Sequence, residues 1–287
     1  MADDASPLVQ RRRLSAELRN LRQEKKLTQQ EVAKAMEWSL SKMIRVENAE
    51  TSISVNDLKV LLDYYGIKDK ETTAELIALA HAARKRGWWR GQSYSKVAPT
   101  ELLKLIDYES AASSIRQFET MYVPGILQTR DYARAVLRNF YADEPAEEMV
   151  DLRTRREAQF TVLTREDAAQ FTFLLDEPVI QRLAGGLSVM RQQLQRLVDL
   201  AELPNVTIRV VPFSAGLHPG SGPFEIIQFA DADDEYAVFI ETARGDFITD
   251  NAEDTQKYLE VFDRIMQISL GPEDSVTRIH EVAKAMA

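Results

Sequence analysis

Residues 27–67 read LTQQEVAKAMEWSLSKMIRVENAETSISVNDLKVLLDYYGI, and their caps and apolar spacing decide the architecture of the N-terminal part. Thr28 followed by Glu31 has the spacing of a capping box, which satisfies two orphan amide donors and starts a helix at Gln29. Val32, Ala33 and Met36 give that helix an inward face. Ser39 caps a further helix directly afterwards, so the turn at 37–39 holds two short helices at a steep angle. In the second of them Met43 and Val46 share one face, which turns Leu40, Ser41, Lys42 and Arg45 outward. Ser54, with Asp57 three residues on, opens another helix buried through Leu58, Leu61, Leu62 and Tyr65, and Gly66 ends it in a left-handed conformation. Trp38, in the turn, is expected to wedge between helices.

Upstream, Leu14, Leu18 and Leu21 form one apolar stripe on a helix otherwise rich in Arg11, Arg12, Arg13, Arg19, Arg22, Lys25 and Lys26. The 287-residue chain carries a formal charge of −9, yet residues 11–45 hold ten Lys/Arg against four Asp/Glu. A basic head therefore precedes an acidic body. Only the local field, within about 8 Å at physiological salt, acts on a polyanion. The 45% hydrophobic and 28% charged fractions fit a folded protein of two domains. Zero cysteines exclude disulfides, thiolate zinc sites and cysteine nucleophiles. With no long apolar run and no secretory pattern at the start, no membrane contact is expected and the expected location is the cytoplasm.

The order of a T-Q-x-E start, a serine-led helix, an E-N ending and a fourth amphipathic helix resembles the lambda-repressor-like, or XRE, helix-turn-helix family over residues 11–68. The resemblance implies an all-α DNA-binding domain, placed at 1–72, whose third helix enters the major groove of double-stranded DNA. Carried over residue by residue, it sets Leu40, Ser41 and Arg45 at base-facing positions and Gln29 and Asn48 at phosphates. Lys42 falls to either a phosphate or a guanine edge. Arg45 is the best specificity residue on chemical grounds, because a guanidinium donates two hydrogen bonds to guanine O6 and N7.

Residues 72–86 continue the helical period, and RGWWRGQ then supplies two glycines around Trp88 and Trp89. This reads as a junction, 73–99, where paired tryptophans pack the head or connecting helix against the body or across a dimer. From Thr100 to about Arg165 the chain reads as mainly helical, with a short extended segment before a Pro-Gly turn in IRQFETMYVPGILQT. Four apolar runs then read as strands: FTFLLD at 171–176, VTIRVVP at 206–212, FEIIQF at 224–229 and YAVFIET at 236–242, with GDFITD as a short edge. A helix at about 189–203, capped by Ser188, links the first two, and Tyr258, Phe262, Ile265 and Ile268 form a stripe that covers a sheet. The expected fold class is α+β: the helical head, then an α+β domain at 100–287 with a small mixed sheet.

The stretches ARKRGWW, YVPGILQTRDYARAVL, LTRED, LLDEPVIQR, LPNVTIRVVPFSAGLHPGSGPFEIIQF and FDRI resemble the DUF5753 domain of WhiJ-like and antitoxin-like actinobacterial regulators. That resemblance implies a regulator controlled by a small DUF397-type protein. With the helix-turn-helix head, whose family places two recognition helices about one DNA turn apart, the expected function is a transcriptional repressor acting as a homodimer on an inverted-repeat operator. The alternative is control by a small-molecule effector, and a DNA-linked hydrolase is the remote alternative. His218 and Ser221 in LHPGSGPF lack a nucleophile elbow and an evident orienting acid. Glu166, Asp167, Asp176 and Glu177 read as solvated loop carboxylates rather than a Mg²⁺ site. No catalytic residue, metal ligand or cofactor is assigned, and an enzyme is not expected.

Overall fold

The computed structural model describes residues 7–85, 87–91, 93–140, 147–155, 169–229, 236–242 and 244–286. The LTRED stretch at 163–167, with Glu166 and Asp167, and the side chain of Trp88 lie outside the described residues. The chain divides into two units, Met1–Trp88 and Trp89–Ala287.

Among the described residues the first unit is helical throughout: α1 (Pro7–Glu24), α2 (Gln29–Ala35), α3 (Leu40–Glu47), α4 (Val55–Tyr64) and α5 (Lys70–Ala82). Local chemistry sets each start. Thr28 and Glu31 form the reciprocal capping box, Ser39 Oγ accepts from the Lys42 amide, Ser54 caps onto Asp57 and Asp69 onto Thr72. Glu37 bends the α2–α3 turn with φ 55°, and Gly66 leaves α4 with φ 73°. Leu14, Leu18, Val32, Met43, Val46, Leu58, Leu61 and Leu62 close one core, and Trp38 packs half-buried against it. α2, α3 and α4, with 7, 8 and 10 residues, are too short to hold alone, so burial of their apolar faces stabilises them.

The second unit alternates helices and strands: α6 (Thr100–Glu109), β1 (Ala112–Glu119), α7 (Arg130–Phe140), α8 (Glu147–Arg155), β2 (Gln170–Asp176), α9 (Glu177–Gln181), α10 (Leu187–Ala201) and β3 (Val206–Val211). It continues with β4 (Phe224–Phe229), β5 (Tyr236–Ile240), β6 (Phe247–Thr249), α11 (Ala252–Ile268) and α12 (Pro272–Ala285). The six strands form one mixed sheet in the order β3-β2-β1-β4-β5-β6. β1 pairs in parallel with β2, and β2 with β3, whereas β4, β5 and β6 follow as antiparallel neighbours. The fold is therefore α+β, with a mixed sheet flanked by helices.

Strand alternation divides the sheet into two cores. Ile115, Phe171, Phe173, Leu175 and Ile208 face Met190, Leu194 and Leu197 of α10 and Ile279 of α12. Phe118, Leu174, Val211, Phe224 and Val238 face the other way, onto Phe262 and Ile265 of α11. The outer edge of β3 is occupied rather than open: Leu270 donates to the Val210 carbonyl at 2.8 Å, and the Val210 amide donates to Ser275 Oγ at 3.0 Å.

Four sequence expectations need correction. The short extended piece expected from Ile115 within a mainly helical stretch begins earlier, at Ala112, and is an eight-residue strand in the middle of the sheet. The crossover helix starts at Leu187, and its N-cap is Gly186 at φ 89°, not Ser188, because the left-handed turn there suits glycine. Ile268, expected to cover the sheet, is 36% exposed, since α11 has already reached its last turn. Glu177 is not a solvated carboxylate. It is buried, accepting from the Phe213 amide at 2.6 Å and from Arg278 Nη2 at 2.6 Å.

Candidate nucleic-acid interface

The outward face of α3 is defined by what the head core takes away from it. Met43, Val46 and Glu47 are buried, and Ser41, Arg45 and Asn48 are exposed with Leu40, whose side is 43% open. Among the described residues the Arg45 guanidinium has no ion-pair partner. Asn48, the C-cap, makes only a long 3.5 Å contact to Glu50 through its side-chain amide.

The other sequence-predicted residues are partly engaged. Lys42 Nζ donates to Asp57 Oδ2 at 3.1 Å and stands 3.9 Å from the centre of the Trp38 ring. Gln29 Nε2 donates to Glu47 Oε2 at 2.7 Å. Glu47 is the residue that sequence reasoning missed: its buried carboxylate also receives Arg22 through Nε and Nη2, and its carbonyl accepts from Arg19 Nη2. The hydrogen bond to Glu47 holds the Arg22 guanidinium above its ordinary pKa. Two of the arginines counted toward a basic surface thus brace α1 against α3. The only sequence signal was the acid in the E-N ending.

Trp89 lies in the second unit, buried with Leu103, Ile106, Leu137 and Val150, and its indole donates to Asp107 at 2.7 Å. Asp176 Oδ2 lies 3.8 Å from His218 Nε2, so an acid does stand beside this histidine. The Gly220 amide donates to His218 Nδ1 at 3.2 Å. Both ring nitrogens are directed at groups other than Ser221, which is not the geometry of a nucleophile and its base.

A cavity opens where the sheet face carrying Ile115 turns polar. Gln117 and Glu119 of β1, Glu225 of β4 and Glu241 after β5 line it with Gln128 and Arg153, and its volume is small, about 50 Å³. Burial, reinforced by repulsion from Glu241, pushes the Glu119 carboxyl well above the ordinary carboxylate range despite the hydrogen bond from Gln117. The wall at 123–129 is braced. Val123 donates to Tyr132 Oη at 3.1 Å, its carbonyl accepts from Gln128 Nε2 at 2.7 Å, and Gln193 bonds both Thr129 and Leu127. Burial pushes the Tyr132 hydroxyl up to about 12.

A family model described as a helix-turn-helix domain matches residues 13–76, and one described as a domain of unknown function, DUF5753, matches residues 102–281. The second match spans more than half of the 287 residues, and the chain belongs to the DUF5753 family. Joined to a helix-turn-helix head, that domain makes the build of a DNA-binding regulator. No curated protein and no solved structure matches the chain. Among the described residues no helix is long and apolar enough to cross a membrane.

Proposed function

We propose that the protein is a sequence-specific transcriptional repressor that binds an inverted-repeat operator as a homodimer and takes its regulatory input through the DUF5753 domain. The observation that carries this reading is the exposed α3 face, where Leu40, Ser41 and Arg45 stand clear of the core and Arg45 has no internal partner among the described residues. Arg45 reads a guanine edge, Leu40 meets a thymine methyl, and Asn48 binds phosphate. Gln29 and Lys42 each keep donor hydrogens beyond those given to Glu47 and Asp57, and these go to the backbone of the duplex. One short helix reads too few base pairs alone, so two copies engage half-sites about one DNA turn apart. The input is a small DUF397-type protein, as the family resemblance implies. Footprinting with light scattering tests the reading: two chains protecting two half-sites support it, and tight binding of one chain to an unrepeated site refutes it.

A second reading replaces the protein partner with a small-molecule effector. The small polar cavity favours it, because convergent buried polar groups such as Gln117, Glu119 and Gln128 are what fixes the orientation of a small ligand. Operator binding measured with the partner protein, and separately with a protein-free cell extract, separates the two readings.

A further inference from the structure

We propose that Asp57 of α4 is a brake on indiscriminate DNA binding: it engages the Lys42 ammonium in the free protein and on random sequence, and gives it up to a phosphate when a matching sequence seats α3. This deepens the DNA-binding reading of α3 above and rests on it.

The two cations of α3, Lys42 and Arg45, are held differently. Arg45 is exposed and has no ion-pair partner among the described residues. Lys42 is fixed at two points: its Nζ donates to Asp57 Oδ2 at 3.1 Å and lies 3.9 Å from the centre of the Trp38 ring, a favourable position for a cation. Both anchors are themselves fixed. Trp38 packs against the head core, and Asp57 stands in the first turn of α4, where its amide donates to Ser54 Oγ at 3.0 Å. The long lysine stem, which would otherwise sweep the surface of a duplex, is folded onto the protein.

This arrangement is open to exchange. The Lys42 and Asp57 side chains are 37% and 38% exposed, and an ion pair in so much water is weak enough to yield to a phosphate brought close. A duplex held loosely by charge alone meets Arg45, but Lys42 is occupied and the Asp57 carboxylate repels the phosphates near it. A duplex whose base edges seat Arg45 carries its backbone up to Lys42, which gives its free hydrogens to a phosphate and loosens from Asp57. Non-specific affinity is essentially the sum of phosphate contacts, so withholding one lowers it, whereas the seated complex recovers the contact. The acid thus widens the gap between operator and random sequence by weakening the wrong complex, and that gap governs occupancy where competing sites are many.

The test is binding of the full chain, at several salt concentrations, to a duplex of random sequence and to a duplex that the parent chain has selected from a random pool. Asp57→Asn removes the charge at nearly constant size, and Asp57→Ser is a second neutral variant suited to a first helical turn. Asp63→Asn, exposed in the last turn of α4, removes the same charge elsewhere on that helix. Expected for Asp57→Asn is a rise of about threefold or more in affinity for the random duplex, with a salt slope steeper by up to about 0.9. Affinity for the selected duplex should rise less, Asp63→Asn should affect both duplexes little and equally, and in a Lys42→Gln background the effect of Asp57→Asn should largely vanish. Unchanged or lower affinity for the random duplex, an equal rise on both duplexes, the same response to Asp63→Asn, or a full effect without Lys42 overturns the brake alone. A parent chain that binds neither duplex overturns the DNA-binding reading and the brake with it.

Discussion

Glu47 of α3 holds Arg22 of α1 in a two-point ion pair, Nε to Oε1 at 2.6 Å and Nη2 to Oε2 at 3.0 Å, with the Glu47 side chain fully buried. The same carboxylate takes the Gln29 amide, so one acid ties the starts of α2 and the end of α3 to α1. The angle at which α3 is presented is set by this tie together with the apolar core.

Glu47→Ala leaves the largely buried Arg22 guanidinium without its acid and with only the Leu27 carbonyl as acceptor, and the head should lose about 3–5 kcal/mol of stability. Native-state hydrogen exchange of the α1 and α3 amides in the full chain measures the loss. Replacing both partners, Arg22→Met with Glu47→Leu, should restore much of it; a double variant as unstable as Glu47→Ala would show that the ion pair is not the tie.

Arg45→Ala should flatten the preference for one base pair by about 1–3 kcal/mol if Arg45 makes the two-point contact to a base edge proposed above. Asn48→Ala should instead weaken operator and random DNA evenly. Titrations on single-base operator variants at several salt concentrations distinguish the two, and an unchanged preference profile for Arg45→Ala removes it from base reading.

Two buried carboxylates give the second unit opposite pH responses. At Glu177 burial raises the pKa, but the Phe213 amide and the Arg278 guanidinium outweigh it and hold the group below its ordinary 4.5. Its contribution is therefore present above pH 4.5 and lost as the pH falls through the lowered value. Glu119 is held above 4.5, so its contribution is present below that pH and lost as the pH rises through the raised value. Melting curves across pH should show Glu177→Gln with a weaker loss on the acid side, and Glu119→Gln with a smaller decline from acid toward neutral pH. Parallel curves for all three proteins would refute the assignment.

Gly220 lies against the Phe118 ring, and a Cβ at this position would strike Phe118 Cε1 and reach Ile265 Cδ1 at 3.0 Å. Phe118 is fully buried in the centre of the sheet and flanked by Phe224 and His218, so it has little room to yield. Gly220→Ala should lower the stability of the second unit by about 1–3 kcal/mol. A melting temperature equal to the parent's would show that the loop shifts freely.

The head was readable because its signals are local. Thr28 with Glu31, Ser39 and Ser54 announce helix starts within one turn, and the spacing of Leu58, Leu61 and Leu62 exposes a buried face. Glu47 was not readable as an anchor, since its partners Arg22 and Gln29 come from other helices and look like ordinary surface residues. β1 was undervalued for a related reason: Gln117 and Glu119 occupy core-facing alternations, and polar residues there blur the apolar pattern that marks a central strand. The cavity itself is assembled from positions between Leu102 and Glu241, a juxtaposition that only the finished sheet creates.

The central pairing of β1 with β4 has a consequence for synthesis. Ser113 Oγ bonds the carbonyl of Gln228, 115 positions further along, whereas the first unit closes its core between Leu14 and Ala80. A ribosome therefore releases a finished reading head while the sheet still waits for its fourth strand. Any premature stop between these points yields a fragment that retains the α3 face and lacks both the completed sheet and the cavity. On the function proposed above, such a product would keep the DNA-facing helix without the domain that receives the regulatory input, so its DNA binding should be weak and insensitive to any signal.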